Sequence, residues 1–397
     1  MKILMINSVC GIRSTGRICT DLADALTKQG HTVKIAYGRE EVPEQYKKYA
    51  IRIGTDLDVR LHGVRARLLD ESGFGSKKAT IRFIEWVKKY DPDVIHLHNI
   101  HGYYINIEVL FDYLRTCGKK IIWTLHDCWA FTGHAAYCEA ANCVRWETGC
   151  HNCPKIDNYP KSFYDNSKLN WLKKRKTFTG IPNLQIITPS KWLAGLVKKS
   201  FLRKYPVKVI YNGIDTSVFK PVDSSYLRKK LNIGDKKVIL GVAAVWDARK
   251  GLNDFIKLNK LIDKNEYQII LVGLTEKQIA NLPKTIIGKT RTNSTKELAA
   301  FYSIADVYLN TSKEETMGLT TVEAYACGTP VVVSNFTAVP EVVNKKCGLV
   351  LSSLNTCEIQ RSIEKVLDST WSGIEQEAVF FEKSNRYNEY IEKCYLL

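Results

Sequence analysis

Two carboxylates stand eight residues apart in the run Glu314-Glu315-Thr316-Met317-Gly318-Leu319-Thr320-Thr321-Val322-Glu323, which continues as Ala324-Tyr325-Ala326-Cys327-Gly328-Thr329-Pro330-Val331-Val332. The pattern predicts a strand ending near Asn310, a loop carrying Glu315, and a helix opening at about Gly318 with Glu323 more than one turn inside it. A helix that opens on a glycine lets an anion approach its free backbone N–H groups, and its dipole favours negative charge there, so the place suits a phosphate. Two acids would repel such a ligand unless they bond its hydroxyls. A nucleotide-sugar carries both kinds of group.

A second cluster lies between Trp129 and Pro154. Cys138, Cys143, Cys150 and Cys153 follow the spacing C-x4-C-x6-C-x2-C, with His134 and His151 close by. That spacing is compatible with a tetrahedral structural Zn2+ site, which would order a long irregular loop. A disulfide and free thiols are the alternatives, the disulfide being disfavoured in a cytosolic chain.

The Glu315 to Val332 run resembles the carboxylate signature of the retaining, GT-B-fold glycosyltransferases of family 4, in which a Glu, seven intervening residues and a second Glu precede Ala-x-Ala-x-Gly-x-Pro-Val-Val. Similarity extends along nearly the whole chain. Gly11-Ile12-Arg13-Ser14-Thr15-Gly16-Arg17 stands where the family has a glycine-rich loop, without its adjacent glycine pair. Asp93 to His98 and Thr124-Leu125-His126-Asp127 stand at the family's histidine-bearing strand ends, and Asn212-Gly213-Ile214-Asp215 at its domain junction. One departure concerns the phosphate clamp: Lys250-Gly251 is present, but Val245 occupies the place of the family's Arg, five residues before the lysine. The Trp-x-Thr-Gly-Cys-x-x-Cys-Pro block of the cysteine region is similar to an insertion in the subgroup that builds bacterial cell-surface polysaccharides.

The resemblance implies roles. Lys250, with Arg249 as a substitute for the missing clamp Arg, and the amides of Met317, Gly318 and Leu319 would hold the donor diphosphate, with Gly16 lining the donor side. Glu323 would bind ribose, Glu315 the donor sugar or Lys250, and His126 would face the sugar from the first domain. Asp127, His98 and Arg13 fall on the acceptor side, Asp127 either fixing the His126 tautomer or touching the acceptor. No Asp-x-Asp metal motif occurs at a plausible donor site, so no cofactor is expected for the chemistry itself.

These residues need a scaffold, and short β-like runs alternating with amphipathic stretches predict one: βα units around parallel sheets. Strands are expected at 2–6, 32–37, 94–98, 121–125, 185–188 and 207–211, then at 238–245, 268–272, 285–287, 306–310 and 330–333. Helices are expected at 16–29 and 76–90, then near 251–263, 295–304, 318–327 and 356–368. The fold class is α/β: two Rossmann-like, doubly wound domains facing across a cleft. The domains are 1–210 with the Cys-rich insertion near 128–154, a linker over 211–222, a nucleotide-sugar domain over 223–375, and a C-terminal helix over 376–397 that returns to the first domain.

Composition bounds the function. Of 397 residues, 45% are hydrophobic and 10% aromatic, which excludes disorder, and no apolar run is long enough for a membrane-spanning helix. Residues 1–210 hold 34 Lys+Arg and 19 Asp+Glu, net +15, against net +2 for the remainder. The basic stretches are 60–69, Lys173-Lys174-Arg175-Lys176 and 198–204, and the first and third interleave apolar residues as an interfacial segment does. The reading is a cytoplasmic enzyme, peripheral on the inner face of the cytoplasmic membrane. It would move a hexose from a nucleotide-diphosphate sugar to a lipid-linked saccharide acceptor, with no nucleic-acid partner. The alternatives are a nucleotide-sugar epimerase of the same fold and a zinc-stapled, basic nucleic-acid-binding protein, which would leave the Glu315 to Val332 run unexplained.

Overall fold

The computed structural model describes residues 1–396 and divides into two compact units. Unit 1 is Met1–Ile210 together with the chain from Tyr387 on, and unit 2 is Tyr211–Arg386. Each is built on one all-parallel sheet.

Unit 1 has seven strands, β1 (Lys2–Ile6), β2 (Thr32–Tyr37), β3 (Ala50–Arg52), β4 (Val94–Leu97), β5 (Lys120–Thr124), β6 (Leu184–Thr188) and β7 (Val207–Val209), in the order β3-β2-β1-β4-β5-β6-β7. Its helices are α1 (Arg13–Lys28), α2 (Asp56–Leu69), α3 (Lys77–Tyr90), α4 (Ile107–Thr116), α5 (Ser167–Phe178) and α6 (Lys191–Lys199). β1 and β4 are apolar on both faces because helices cover both faces of a parallel sheet. α1 buries Ile18, Cys19, Leu22 and Leu26 on one stripe, and it begins three residues earlier than the apolar periodicity suggested. α2 starts on a capping box in which Thr55 and Asp58 satisfy each other's amides.

Unit 2 has six strands, β8 (Lys237–Val242), β9 (Tyr267–Val272), β10 (Ile286–Lys289), β11 (Val307–Asn310), β12 (Val331–Val333) and β13 (Gly348–Val350), in the order β10-β9-β8-β11-β12-β13. Its helices are α7 (Ser225–Lys230), α8 (Leu252–Leu261), α9 (Glu276–Ala280), α10 (Thr295–Ile304), α11 (Leu319–Ala326) and α12 (Thr356–Leu367). β8 stops at Val242, short of the expected 245, because its ladder to β9 ends at Val242↔Val272. There Gly273 (φ +98°) packs so closely on the Ala243 carbonyl that a Cβ would stand 1.6 Å from its oxygen. In each sheet the strand order reverses between two neighbours, β1/β4 and β8/β11. Doubly wound sheets bind ligands beyond the carboxyl ends of such strands.

Candidate active site

In unit 2 the loops leaving β8 and β11 carry the expected acids and cation. Lys250 Nζ donates to Glu315 Oε1, with the side chains only 19% and 18% exposed. Gly251 (φ +75°) opens α8, and a Cβ there would lie 2.1 Å from Thr311 Oγ1. Only glycine lets the start of α8 press against the loop after β11. Glu315 is also fixed through its backbone: its amide donates to Thr337 Oγ1 at 3.0 Å and its carbonyl accepts from the Ala338 amide at 3.4 Å.

Gly318 (φ +90°) precedes α11, which has no side-chain cap. A Cβ at Gly318 would make ordinary van der Waals contacts, the nearest at 3.6 Å, so it is the backbone conformation that requires the glycine. Uncapped leading amides beside a positive dipole end are what an anion needs. The side chain of Met317 faces inward, its Sδ accepting the Asn212 amide at 3.1 Å, and Leu319 packs partly buried on the core. Over Met317-Gly318-Leu319 both side chains are thus turned to the core. Glu323 lies farther along α11 and accepts from the hydroxyl of buried Tyr302 at 2.9 Å.

Arg249 is differently placed from the expectation of a substitute clamp. Its guanidinium grips Asp247, with Nε–Oδ2 3.0 Å and a second contact of 2.9 Å, and stands 3.9 Å from Glu314. Glu314 is buried, so the arginine serves as counter-ion within its own loop. Val245 points outward, 62% exposed.

In unit 1 the loops after β1, β4 and β5 form the second constellation. Asn7, which sequence reasoning missed, ties two of them: it accepts the Asn99 amide at 3.1 Å and donates to the Val9 carbonyl at 2.8 Å. Gly16 is buried in the first turn of α1, its carbonyl taking the Gly11 amide at 3.2 Å. Arg13 is exposed and paired with Glu40 at 2.7 Å.

His98 Nδ1 lies 3.0 Å from His126 Nε2, and the two rings stack at 14°. Burial lowers both imidazoles, His126 to about 4 and His98 well below its ordinary value, so both are neutral near pH 7. His98 Nε2 is buried with no hydrogen-bond partner. His96 is held between the Tyr395 and Thr124 hydroxyls, at 2.5 and 2.7 Å, and belongs to the core. Asp127 bonds His101 Nε2 at 2.9 Å and accepts the Trp129 amide at 2.9 Å. Burial alone would raise the Asp127 carboxyl, but the His101 imidazole and that amide hold it below the usual carboxylate range. Asp127 therefore orients His101, and His98 orients His126, which corrects the expectation that Asp127 fixes the His126 tautomer.

The Cys-rich segment brings Cys138, Cys143, Cys150 and Cys153 to the lining of one cavity, where His134 joins them. As placed, no three Cys, His, Asp or Glu side chains among the described residues are close enough together to hold a metal ion. The basic run 173–176 is also not wholly a surface feature, since Lys174 is fully buried.

Residues 15–218 match the family model described as Glycosyltransferase Family 4, and residues 223–393 match Glycosyl transferases group 1. WcaC of Escherichia coli (strain K12), named as a colanic acid biosynthesis glycosyl transferase, is 24% identical over 373 residues, 89% of this chain and 87% of its own. Processive diacylglycerol alpha-glucosyltransferase of Acholeplasma laidlawii is 30% identical over 205 residues, 49% of this chain and 60% of its own. Among solved structures, HepE of Anabaena in complex with UDP and glucose aligns over 100% of both chains with a TM-score of 0.69 and 15% identity. Sucrose-phosphate synthase from Thermosynechococcus elongatus aligns over 99% of this chain and 94% of its own, with a TM-score of 0.67 and 17% identity. The shared architecture is the GT-B fold.

Proposed function

Because the chain belongs to glycosyltransferase family 4, we propose that it is a retaining hexosyltransferase of bacterial cell-surface polysaccharide assembly, taking its sugar from a nucleoside-diphosphate donor and passing it to a lipid-linked saccharide. The observation that carries this is the Lys250–Glu315 pair beside the uncapped start of α11, at the strand-order reversal of unit 2. On this reading Lys250 and the α11 amides take the diphosphate, Glu323 the ribose, and His126 the sugar. The acceptor hydroxyl attacks the anomeric carbon on the face from which the diphosphate departs. Its proton passes to a departing phosphate oxygen, and the protein supplies position and charge.

The role in colanic acid biosynthesis for which the Escherichia coli relative is named supports a polysaccharide product. An acceptor at an anionic membrane face is supported by α2, where Leu57, Leu61, Val64 and Leu68 are all more than half exposed on a helix that also carries Arg60, Arg65 and Arg67. No helix of the described residues is long and apolar enough to cross a membrane. The test incubates the purified chain with UDP- and GDP-hexoses, with and without a lipid-linked acceptor. Nucleoside diphosphate should be released only with acceptor, and the product should keep the donor's anomeric configuration. Release without acceptor would point to the epimerase, and an inverted product would overturn the retaining mechanism.

A further inference from the structure

The Cys-rich insertion takes part in neither constellation, yet it carries the most concentrated set of metal-ligating side chains in the protein. Residues 132–155 form only two short turns of helix, Glu139–Ala141 and Arg145–Glu147. An irregular stretch this long inside a compact unit needs something besides backbone hydrogen bonds to order it.

The side chain of His134 is wholly buried. Its Nδ1 donates to Asp70 Oδ1 at 2.5 Å, and its Nε2, at the cavity where the four cysteines meet, has no hydrogen-bond partner. Where Nδ1 donates to an ionised Asp70, the Nε2 lone pair of the ring is left bare. A carboxylate on one ring nitrogen and a free lone pair on the other is how ligating histidines are set. Asp70 is itself anchored by the Asn166 amide at 3.1 Å.

Two of the sulfurs accept backbone amides: Cys150 Sγ takes the Gly133 amide at 3.2 Å and Cys153 Sγ that of Lys155, while burial pushes both thiols up, to about 12 and about 11. Gly133 has no room for a side chain, since a Cβ would stand 2.1 Å from the Ser167 carbonyl oxygen, so its amide is forced onto Cys150. Cys138 is the most buried of the four. The side-chain nitrogen of buried Lys174, which bonds the Trp129 and Thr132 carbonyls at 2.9 and 3.1 Å, lies near Cys150 and Cys138, and burial pulls its amine down to about 7.

We propose that the insertion binds one divalent cation of the zinc class through the Nε2 of His134 and three of the four cysteine thiolates that line the same cavity. Three thiol protons leave to solvent as the ion binds. The donors stand too far apart to hold an ion as placed, so the loop draws in as it loads.

The experiment uses the full chain, purified without chelator or added zinc. Elemental analysis should find about one equivalent of metal, and less than about 0.2 equivalents overturns the proposal. Chelation should lower the melting temperature and added zinc should restore it; an unchanged melting temperature counts against the site. Cobalt loaded into the stripped wild-type chain should give thiolate charge-transfer bands and tetrahedral d–d bands. A spectrum lacking both overturns the ligand class without relying on any variant. His134→Gln should lose most of the metal, and full retention by that variant would overturn the assignment of its Nε2 as a ligand.

Discussion

The two constellations solve opposite electrostatic problems. In unit 2 the chemistry-bearing groups are charged and answer one another: Lys250 with Glu315, Arg249 with Asp247 beside Glu314. In unit 1 the centre is a pair of stacked imidazoles kept neutral by burial, with the charge-capable His101–Asp127 pair next to it. A diphosphate calls for a cation and oriented amides, and in unit 2 Glu315 holds the lysine in place. A sugar ring carries no charge, so it is best met by a group that donates and accepts hydrogen bonds without paying to desolvate an ion. The difference predicts which changes should cost catalysis, which binding, and which stability.

The largest effect should come from unit 2. Glu315→Ala and Lys250→Ala are each expected to lower turnover by about 100-fold or more with the circular dichroism spectrum unchanged. Because the two side chains bond each other, the double variant should lose little beyond the worse single one. Near-normal turnover by Glu315→Ala would remove the charged half of the contrast. On the neutral side, His126→Gln should lower turnover by about 10- to 100-fold while leaving affinity for free nucleoside diphosphate within a few-fold. Equal losses in both measurements would overturn the assignment of His126 to the sugar rather than to the nucleotide.

Acid should also separate the units, since all eight histidines lie in unit 1. Burial lowers His62 and His126 to about 4 and His96 to about 3. The unfolded chain, with histidines near 6.5, therefore takes up these protons first as pH falls, and stability drops across the window from about 6.5 to 4. Hydrogen exchange read peptide by peptide should show protection falling in unit 1 over that window, with unit 2 holding until its carboxylates titrate. Parallel loss in both units would contradict the assignment of the pH response to these imidazoles.

How much of this was legible in the sequence follows the same division. The Glu315 to Val332 run is local: strand, loop, glycine and helix are consecutive in the chain, so the positions of Glu315, Gly318 and Glu323 could be read from spacing. Lys250 was found through resemblance, and its partner lies 65 residues away. Contacts made through the fold left no such mark. Asn7 joins the loops after β1 and β4 across 92 residues, Asp127 meets His101 rather than its neighbour His126, and Tyr302 reaches Glu323 from another helix. Lys174 illustrates the same limit within a charge run, because which of four adjacent basic residues turns inward depends on helix phase against a core that the run does not reveal. Edge strands β3 and β13, three residues each, are too short to show a period.

A smaller effect tests the anion seat. Gly318→Ala places an L side chain at φ +90°, which should cost about 1 kcal/mol of stability or somewhat more and raise the donor KM by about tenfold through misaligned amides. The L Cβ itself would meet only ordinary van der Waals contacts, the nearest at 3.6 Å, so the loss comes from backbone conformation rather than from sterics. If the L variant binds donor normally, the leading amides of α11 do not contact the diphosphate.

The smallest expected change is a gain. Val245 stands where related enzymes carry the arginine of the phosphate clamp, and its side chain lies in solvent, so Val245→Arg should alter stability by no more than about 0.5 kcal/mol. Arg249 is spent on Asp247 and Glu314, which leaves Lys250 as the cation of the seat. An added guanidinium on an exposed loop pairs with phosphate only through a partly screened contact, worth a few-fold in the dissociation constant of UDP or GDP measured calorimetrically. A gain of that size, greater at low salt, would show that the charged half has room for a second cation and works without one. No gain, with Arg249→Ala weakening the nucleotide instead, would return the clamp role to Arg249 and make its grip on Asp247 a resting state that the diphosphate displaces.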